Sequence, residues 1–289
     1  MIINGKKIAD IILNELKQKI SSIEERKPGL AFILVGKNSA SQTYVRMKEK
    51  ACKEIGIFSY TTMFNENIRE EDLIKEIQKF NRDNKIDGIL VQLPLPKNIS
   101  LQNVVESIDP KKDVDGFHPV NVGKMLLGYK DVLLPCTPNG IKILLEKSNI
   151  EVEGKHIVIV GRSNIVGKPL SAILMQNSPG CNATITVANS YTKNLKNITS
   201  QADILVVAIG QPQFFKKDMI KENAVVIDVG INRILDKNKR SKIVGDVDFD
   251  EVKKIASHIS PVPGGVGPMT IALLMKNTWK SFLLNKEKI

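Results

Sequence analysis

Short apolar runs alternate with segments of helical periodicity along almost the whole chain, and this alternation restricts the fold more than any other feature. Residues 30–35 and 156–161 are near-continuous apolar runs, whereas Ile8, Ile12 and Leu16 recur at helical spacing. A run buried on both faces and followed by a helix is typical of a parallel sheet, because the crossover between parallel strands is long enough to hold a helix. The sequence therefore predicts an α/β fold with parallel sheets.

The same pattern predicts two α/β units. The predicted strands lie at 30–35, 58–64, 88–94, 156–161, 183–188, 203–210 and 224–230. Helices are predicted at 70–80 and 268–284. Two further helices are predicted, one from a cap at Ser39 or Ser41 to Gly56, and one that is capped by Thr137 and runs through Pro138 to Leu145. The boundary between the units is expected between about 127 and 150.

Composition restricts the partners only loosely. The 289 residues carry a formal charge of +11, which favours anionic partners such as phosphorylated cofactors, polycarboxylates or nucleic acid. The lysines are spread along the chain and only 5% of residues are aromatic, so no basic stripe with stacking rings indicates a nucleic-acid partner.

The three cysteines are widely spaced and lack the pairing of a disulfide framework or a zinc site. A cytoplasmic protein is expected, because the N-terminus shows no signal peptide and no apolar run has membrane-spanning length.

Residues 161–169, GRSNIVGKP, directly follow a predicted strand. Glycine at a strand end permits a tight turn, and the following helix would offer free N–H groups to a pyrophosphate. The spacing departs from GxGxxG, so a structural turn and a dinucleotide site are both open interpretations. The next strand, 183–188, runs into Asn189 and Ser190 without the acid that holds a ribose 2′-hydroxyl, and with Arg162 nearby this favours NADP over NAD.

Tyr44 and Lys48 lie one helical turn apart at the margin of an apolar helix face. A partly desolvated lysine is suited to proton transfer. A lysine that only lays its aliphatic stem over the core has no chemical role. Both interpretations of Lys48 are open at this point.

Three further segments are candidates for a ligand site. Gln92 stands at the carboxyl end of an apolar strand, where open α/β sheets bind ligands, although it is equally well a solvated strand end. Asp113 and Asp115 in DVDGF form a metal-binding pair, an acid that holds a substrate amine, or, by default, a turn around Asp-Gly. Residues 260–270, SPVPGGVGPMT, contain three glycines that allow close approach to a flat ligand, so a binding loop is predicted.

Taken together, nine segments resemble the bifunctional methylenetetrahydrofolate dehydrogenase/cyclohydrolases of one-carbon metabolism. In order along the chain they are NGKKIA, SQTYVRMKEKACKEIGI, GILVQLPLP, DVDGFHPVNVGKM, PCTPNGI, VIVGRSNIVGKPL, DVGINR, GDVDF and PVPGGVGPMT. The resemblance implies a folate-binding catalytic domain at 1–140, completed by the C-terminal helix at 268–289. It also implies a Rossmann-like NADP-binding domain at 141–267, a cleft between the two domains, and a homodimer.

For the substrate half, the resemblance implies three catalytic residues. Lys48 matches the family's catalytic lysine, Gln92 the amide that hydrogen-bonds and tunes it, and Asp115 the acid that holds the pterin amines. Tyr44 matches the aromatic residue that stacks on the aminobenzoyl ring of the folate. The remaining implied substrate contacts are Ser41, Gly264, Gly265 and Val266.

For the cofactor half, six residues match NADP contacts of the family. They are Gly161, Arg162, Ser163 and Ile165 in the dinucleotide turn, Ser190 near the 2′-phosphate, and Ile231 at the nicotinamide end. One departure is Asn189, where the family commonly carries His.

The implied activity has two steps. Hydride leaves the methylene carbon of 5,10-methylenetetrahydrofolate for NADP, and the resulting methenyl cation is hydrolysed to 10-formyltetrahydrofolate with help from Lys48. No metal is required, because the iminium carbon is already electrophilic. Folate, including polyglutamylated folate, and NADP are anionic, which gives the positive charge a use. The alternatives are a monofunctional NADP-dependent dehydrogenase and a non-catalytic nucleotide-binding protein; no nucleic-acid or membrane partner is expected.

Overall fold

The structure is a computed structural model that describes residues 1–235 and 240–286. Two parallel sheets with intervening helices confirm the predicted α/β class. The helices are α1 (Gly5–Ser21), α2 (Ser39–Ile55), α3 (Glu70–Arg82), α4 (Leu101–Glu106), α5 (Pro119–Leu126), α6 (Cys136–Lys147), α7 (Gly167–Leu174), α8 (Leu195–Thr199), α9 (Phe249–Val252) and α10 (Val266–Lys286). The strands are β1 (Gly29–Val35), β2 (Phe58–Phe64), β3 (Gly88–Val91), β4 (His156–Val160), β5 (Thr184–Ala188), β6 (Ile204–Val207), β7 (Val225–Asp228), β8 (Asn232–Leu235), β9 (Ser241–Val244) and β10 (His258–Ile259).

The chain divides into two compact units. The three-strand unit comprises Asp10–Cys136 and 271–286, and the five-strand unit comprises Met1–Ala9 and Thr137–Thr270. These limits lie within a few residues of the predicted domains except at the N-terminus, where Ile3 N donates a 2.9 Å hydrogen bond to Ile259 O and joins the five-strand unit. Which ligand each unit binds stays a prediction.

In the three-strand unit, β1 lies between β2 and β3, and all three strands are parallel. Every residue of β1 is buried. The chain places β2 on one side of β1 and then β3 on the other, so the carboxyl ends of β1 and β3 form a switch point where open α/β sheets bind ligands. Strand β3 ends three residues earlier than predicted, since Pro94 has no N–H to continue the ladder, and Gln92 therefore stands just beyond this edge.

Helix α2 carries several of the predicted site residues, and its ends are set by local chemistry. The Asn38 side chain accepts a 3.0 Å hydrogen bond from Ser41 N and caps the helix. The prediction that Ser39 or Ser41 is the cap is wrong, because both already lie inside the helix. The predicted stop at Gly56 is confirmed: its φ of 85° is the left-handed conformation that glycine adopts at a helix C-terminus.

The second half of α10 completes the three-strand unit. Asn277 Nδ2 donates hydrogen bonds of 2.8 Å to both Val114 O and Leu134 O, and Ser281 Oγ donates to Asp87 O. These bonds satisfy backbone carbonyls that are buried away from water. The helix therefore supplies hydrogen bonds as well as apolar area to this unit.

In the five-strand unit the parallel strand order is β10-β7-β6-β4-β5. The chain again reverses direction beside its first strand, with β5 on one side of β4 and β6 on the other, so the carboxyl ends of β4 and β6 form a second switch point. The antiparallel pair β8 and β9 was not predicted. The predicted Thr137 cap is wrong, because α6 starts at Cys136 and Thr137 Oγ1 instead bonds Thr270 Oγ1 at 2.9 Å.

Among residues 1–235 and 240–286, no helix combines the length and the apolar composition that crossing a membrane requires.

Candidate active site

Lys48 is a buried cation held by an amide. It is 8% exposed, on the face of α2 that also buries Val45 and Ala51. Its Nζ donates a 3.0 Å hydrogen bond to Gln92 Oε1. A lysine that merely covered the core would carry its ammonium out to water. Lys48 is instead largely buried and its ammonium is held by a neutral acceptor, which favours a chemical role.

Gln92 owes its orientation to the chain on either side of it. Gln92 N continues the sheet ladder by donating to Ile33 O at 2.8 Å, and Gln92 Nε2 donates to Leu93 O at 2.8 Å. Ser41 Oγ donates to the same Leu93 carbonyl at 3.4 Å. Because the amide nitrogen is committed to Leu93, the amide oxygen is the atom that faces Lys48. Ser41, an implied substrate contact, thus shares an acceptor with Gln92, and its contact with substrate stays a prediction.

Asp115 supplies the acid of this cluster. Burial raises its pKa to about 6, and the charge of Lys48 partly opposes that increase while Asp113 adds to it. No residue in the described part of the chain donates a hydrogen bond to the Asp115 carboxylate. Its oxygens are therefore able to accept hydrogen bonds from a ligand.

Asp113 forms the turn that was predicted by default. Its carboxylate accepts hydrogen bonds from Phe117 N, His118 N and Asn121 Nδ2 at 2.8–3.2 Å. Gly116 within this turn has a φ of 75°, and an added Cβ would lie 2.5 Å from Pro135 N. Within the described ranges, no three His, Cys, Asp or Glu side chains are grouped so that they could hold a metal ion.

Cys136 is a neighbour of this cluster that sequence reasoning missed. Its Sγ donates a 3.2 Å hydrogen bond to Val114 O, and Asn277 Nδ2 lies 3.5 Å from the sulfur. Burial, and then the charge of Asp115, raise the pKa of the Cys136 thiol well above its usual value. The Cys136 thiol is therefore uncharged where it borders the site. The only sequence signal was its place in PCTP.

Tyr44 is half-buried on α2, one turn before Lys48. This placement agrees with a ring that borders the same site. Its stacking role stays a prediction.

In the five-strand unit, the turn after β4 requires its glycines. Gly161 has a φ of 123°, and an added Cβ would lie 2.3 Å from Ala208 O. A Cβ on Gly167, the first residue of α7, would lie 2.0 Å from Gly161 O. The close approach of turn, strand and helix is the packing that a dinucleotide fingerprint provides, and it brings the N-terminus of α7 to the switch point.

The predicted cofactor residues around this turn are accessible. Arg162, Ser163 and Ser190 are exposed, as are the apolar side chains of Ile165 (37%) and Ile231 (46%). An exposed cation, hydroxyls and apolar surface at the carboxyl edge of the sheet fit the phosphates and flat rings of NADP.

The segment after β5 contains no acid that would repel a 2′-phosphate. Asn189 Oδ1 accepts a 3.0 Å hydrogen bond from Tyr191 N and so closes the turn. The Arg162 guanidinium lies 5.5 Å from the centre of the Tyr191 ring, within the range of a cation–π contact. The Tyr191 ring therefore contacts the Arg162 guanidinium, the group that the sequence analysis placed near the 2′-phosphate.

The predicted binding loop has a packing reason for its glycines as well. Gly264 has a φ of 107°, and a Cβ on Gly5 would lie 2.0 Å from Gly265 O. Lys6 N donates to Gly264 O at 3.0 Å. The start of α1 thus packs directly against the backbone of this loop. Val266, predicted to lie in the loop, is buried and begins α10. The contact of this loop with substrate stays a prediction.

The comparison with known families covers most of the chain. Residues 3–115 match the tetrahydrofolate dehydrogenase/cyclohydrolase catalytic domain, and residues 135–286 match the NAD(P)-binding domain of the same family. The chain belongs to the tetrahydrofolate dehydrogenase/cyclohydrolase family. The predicted family is thereby confirmed. Lys48, Gln92 and Asp115 fall within the match to the catalytic domain, and Gly161 and Arg162 within the match to the NAD(P)-binding domain.

Three relatives in the tetrahydrofolate dehydrogenase/cyclohydrolase family match over at least 97% of their length. The bifunctional protein FolD of Protochlamydia amoebophila is 57% identical over 98% of this chain and 97% of its own. The crystal structure of the bifunctional FolD methylenetetrahydrofolate dehydrogenase/cyclohydrolase from Campylobacter jejuni is 48% identical, with a TM-score of 0.93 over 100% of this chain and 99% of its own. The enzyme from Trypanosoma brucei, solved with NADP and an inhibitor, is 37% identical, with a TM-score of 0.92 over 98% and 97% of the two chains.

Proposed function

We propose that this protein oxidises 5,10-methylenetetrahydrofolate to 5,10-methenyltetrahydrofolate with NADP, and hydrolyses that product to 10-formyltetrahydrofolate. The observation that carries the proposal is the buried Lys48 ammonium, 3.0 Å from Gln92 Oε1, in a chain that matches this family at both domains. Family membership supports the pair of activities. The arrangement of the side chains supports the assignment of residues to each step.

Bound NADP would supply the acceptor for the hydride that leaves the methylene carbon of the substrate. The residues for holding the cofactor are the Gly161 turn and the start of α7 for the pyrophosphate, and Arg162 with Ser190 for the 2′-phosphate. The absence of an acid at the end of β5 supports NADP over NAD. Ile231 is proposed to contact the nicotinamide end.

In the hydrolytic step, water attacks the electrophilic methenyl carbon, the bond from that carbon to N5 breaks, and one proton is released overall. Lys48 is the proposed group for moving a proton between the attacking water and the departing nitrogen. Gln92 holds the Nζ of Lys48 in place without adding a negative charge, so the lysine is not locked in an ion pair. This is the physical advantage of an amide over a carboxylate at position 92.

Asp115 is proposed to bind the pterin. An unpaired carboxylate at a partly buried position accepts hydrogen bonds from ring amines, and these bonds orient the reacting carbon toward Lys48. The formal charge of +11 suits a substrate with glutamate carboxylates, and polyglutamylated folate is proposed as the physiological form.

One assay of the purified protein tests the proposed function. Methylenetetrahydrofolate is supplied with NADP or with NAD, and the absorbance of the reduced cofactor and of the methenyl product are followed separately. Reduction of NADP with transient methenyl absorbance is expected. If neither cofactor is reduced, the proposal is wrong; if methenyl accumulates without decay, the protein is a monofunctional dehydrogenase.

A matched pair of variants tests the role of Lys48. Lys48→Met is expected to abolish hydrolysis of methenyltetrahydrofolate while NADP still binds. Lys50→Met makes the same substitution two residues along α2, at an exposed lysine whose neighbour is Glu54 at 3.8 Å, and is expected to keep full activity. Unchanged hydrolysis in Lys48→Met would return this lysine to a packing role.

We also propose a homodimer formed through β2. This strand is an edge of its sheet, and Phe58, Tyr60 and Met63 expose 59%, 49% and 59% of their surfaces. Exposed apolar edge strands are usually covered by a partner. Light scattering is expected to give twice the chain mass, and Phe58→Lys with Met63→Lys should shift the mass to that of one chain. A single-chain mass for the unmodified protein would contradict this proposal.

A cytoplasmic location is proposed from the cysteines. Cys52, Cys136 and Cys181 are free thiols, and all three are buried. Unpaired cysteines are usual in reducing compartments. Cell fractionation followed by antibody detection tests this location, and recovery outside the cytoplasm would contradict it.

A further inference from the structure

Two buried aspartates in the five-strand unit have no part in the chemistry described so far. Asp228, the last residue of β7, is 3% exposed, and Asp246, which follows β9, is fully buried. No lysine or arginine in residues 1–235 or 240–286 forms an ion pair with either. Burying a carboxylate without a cation costs free energy. The groups that hydrogen-bond these two carboxylates therefore indicate the role of each aspartate.

The Asp246 carboxylate joins two turns at the carboxyl edge of the sheet. Asp246 Oδ2 accepts hydrogen bonds from Ile209 N at 2.7 Å and Gly210 N at 2.9 Å, directly after β6. Asp246 Oδ1 accepts a 2.8 Å hydrogen bond from Asn232 Nδ2, at the start of β8. One side chain therefore fixes the position of the turn after β6 and of the segment after β7.

Asp228 in turn holds the backbone that carries Asp246. Its Oδ1 accepts from Asp246 N at 2.9 Å and Gly230 N at 3.1 Å, and its Oδ2 accepts from Val247 N at 2.9 Å. Burial raises the pKa of Asp228 to about 7, whereas these backbone donors oppose the increase. The two carboxylates form a chain of support in which Asp228 positions Asp246.

Two glycines leave the room for this arrangement. An added Cβ on Gly230 would lie 2.2 Å from the Asp246 carboxylate, and one on Gly245 would lie 1.8 Å from Asp228 Oδ2. These glycines belong to the segments DVG (228–230) and GDV (245–247). The carboxylates are thus packed without any spare volume for a side chain beside them.

We propose that Asp246 is a positioning residue for the dehydrogenase, which sets the turns after β6 and β7 against which the nicotinamide end of NADP lies. The inference rests on the proposed function. The segment after β7 contains Ile231, an exposed apolar side chain beside Asn232, and the turn after β6 ends in the exposed Gly210. Both are at the carboxyl edge of the sheet, where an α/β fold binds its dinucleotide.

The hydrolytic step requires no NADP, and its proposed residues all lie in the three-strand unit. A change in Asp246 should therefore affect the dehydrogenase and cofactor binding, and leave hydrolysis of methenyltetrahydrofolate intact. A purely structural role would instead lower both activities together with the melting temperature.

The test measures NADP affinity by calorimetry, both activities, and the melting temperature of the full chain. Asp246→Asn turns an amide N–H toward backbone N–H donors, and the expected result is about tenfold weaker NADP binding with unchanged hydrolysis. Asp248→Asn is the control, since this carboxylate, two residues along, pairs with Lys216 at the surface at 2.8 Å. The control is expected to bind NADP as the unmodified protein does.

A milder variant protects the test against loss of folding. Asn232→Ala removes only the bond to Asp246 Oδ1, and about threefold weaker NADP binding is expected. Parallel loss of both activities in folded Asp246→Asn, or unchanged NADP affinity, would overturn the inference. If Asp246→Asn does not fold, Asn232→Ala decides by the same criterion. A lack of either activity in the unmodified protein would instead refute the proposed function.

Discussion

Gln92 Oε1 accepts a 3.0 Å hydrogen bond from Lys48 Nζ, while the nitrogen of the same amide donates to Leu93 O at 2.8 Å. The amide therefore has a fixed direction, and the lysine meets an uncharged acceptor. A carboxylate at position 92 would have the same size and shape but would carry a negative charge. Comparing glutamine with glutamate at position 92 therefore tests the effect of charge separately from the effect of geometry.

Gln92→Glu is expected to lower hydrolysis of methenyltetrahydrofolate by about 100-fold at neutral pH, because an ion pair keeps Lys48 protonated and holds its proton. The measurement is the decay of methenyl absorbance over a range of pH. Gln18→Glu, at an exposed position of α1, is the control and should change nothing. Full activity in Gln92→Glu would mean that the charge of Lys48 is not used in the reaction.

The rate at low substrate concentration, kcat/KM, should depend on the ionisation of Asp115. Its pKa is about 6, so the carboxylate proposed to accept hydrogen bonds from the pterin is present above pH 6 and is lost as the pH falls through this value. For a single ionisation, kcat/KM then declines about tenfold per pH unit below 6. Asp115→Asn should lower kcat/KM and remove this limb of the profile. A limb that persists in the variant would have to come from another group.

Arg162→Ala is expected to weaken NADP binding by about 30-fold and to leave NAD binding nearly unchanged, because only NADP carries the 2′-phosphate that a guanidinium binds. Calorimetry with each cofactor measures this. Lys193→Ala, at an exposed cation just after Tyr191, is the control for general charge attraction. Equal weakening for both cofactors would place Arg162 at the pyrophosphate instead.

Arg26→Met is expected to lower the free energy of unfolding by about 3 kcal/mol, because it leaves a buried carboxylate without its cation. Arg26 bonds both carboxylate oxygens of Asp87, at 2.7 and 2.8 Å, and the Asp87 side chain is fully buried. Chemical denaturation followed by circular dichroism gives the difference. Arg69→Met removes the surface pair with Asp72, where Arg69 is 70% exposed, and should cost less than about 1 kcal/mol. Equal losses in the two variants would contradict the argument.

Elements with strong local signals were predictable from the sequence. The strand over 58–64 was predicted at its observed bounds, and the helix from 70 was too short only at its end. Gln92 was singled out because an amide that follows an apolar run breaks the pattern, and the structure places its Oε1 3.0 Å from Lys48 Nζ. In each case the residues that determine the structure are neighbours along the chain, which is the range over which periodicity carries information.

The remaining features depend on contacts between distant segments. The paired strands β8 and β9 are short and half exposed, so they lack a buried period, and helices α4, α5, α8 and α9 have at most eight residues. Asp228 and Asp246 were missed for a related reason. Their partners are mostly backbone N–H groups, which every residue but proline has, and no side-chain pattern marks them. The segments DVG and GDV could be read in the sequence, but only the fold shows that Asp228 of the first accepts hydrogen bonds from the backbone of the second.

The bonds from Asn277 and Ser281 to carbonyls of the three-strand unit have a consequence for biosynthesis. Residues 10–136 leave the ribosome long before α10 is made, and until then Val114 O and Asp87 O lack the donors that satisfy them when buried. The three-strand unit, which contains Lys48, Gln92 and Asp115, is therefore incomplete while the five-strand unit is translated. The site proposed around Lys48 can therefore be completed only after α10 has been made, and a nascent chain that stalls before α10 leaves these carbonyls without their donors.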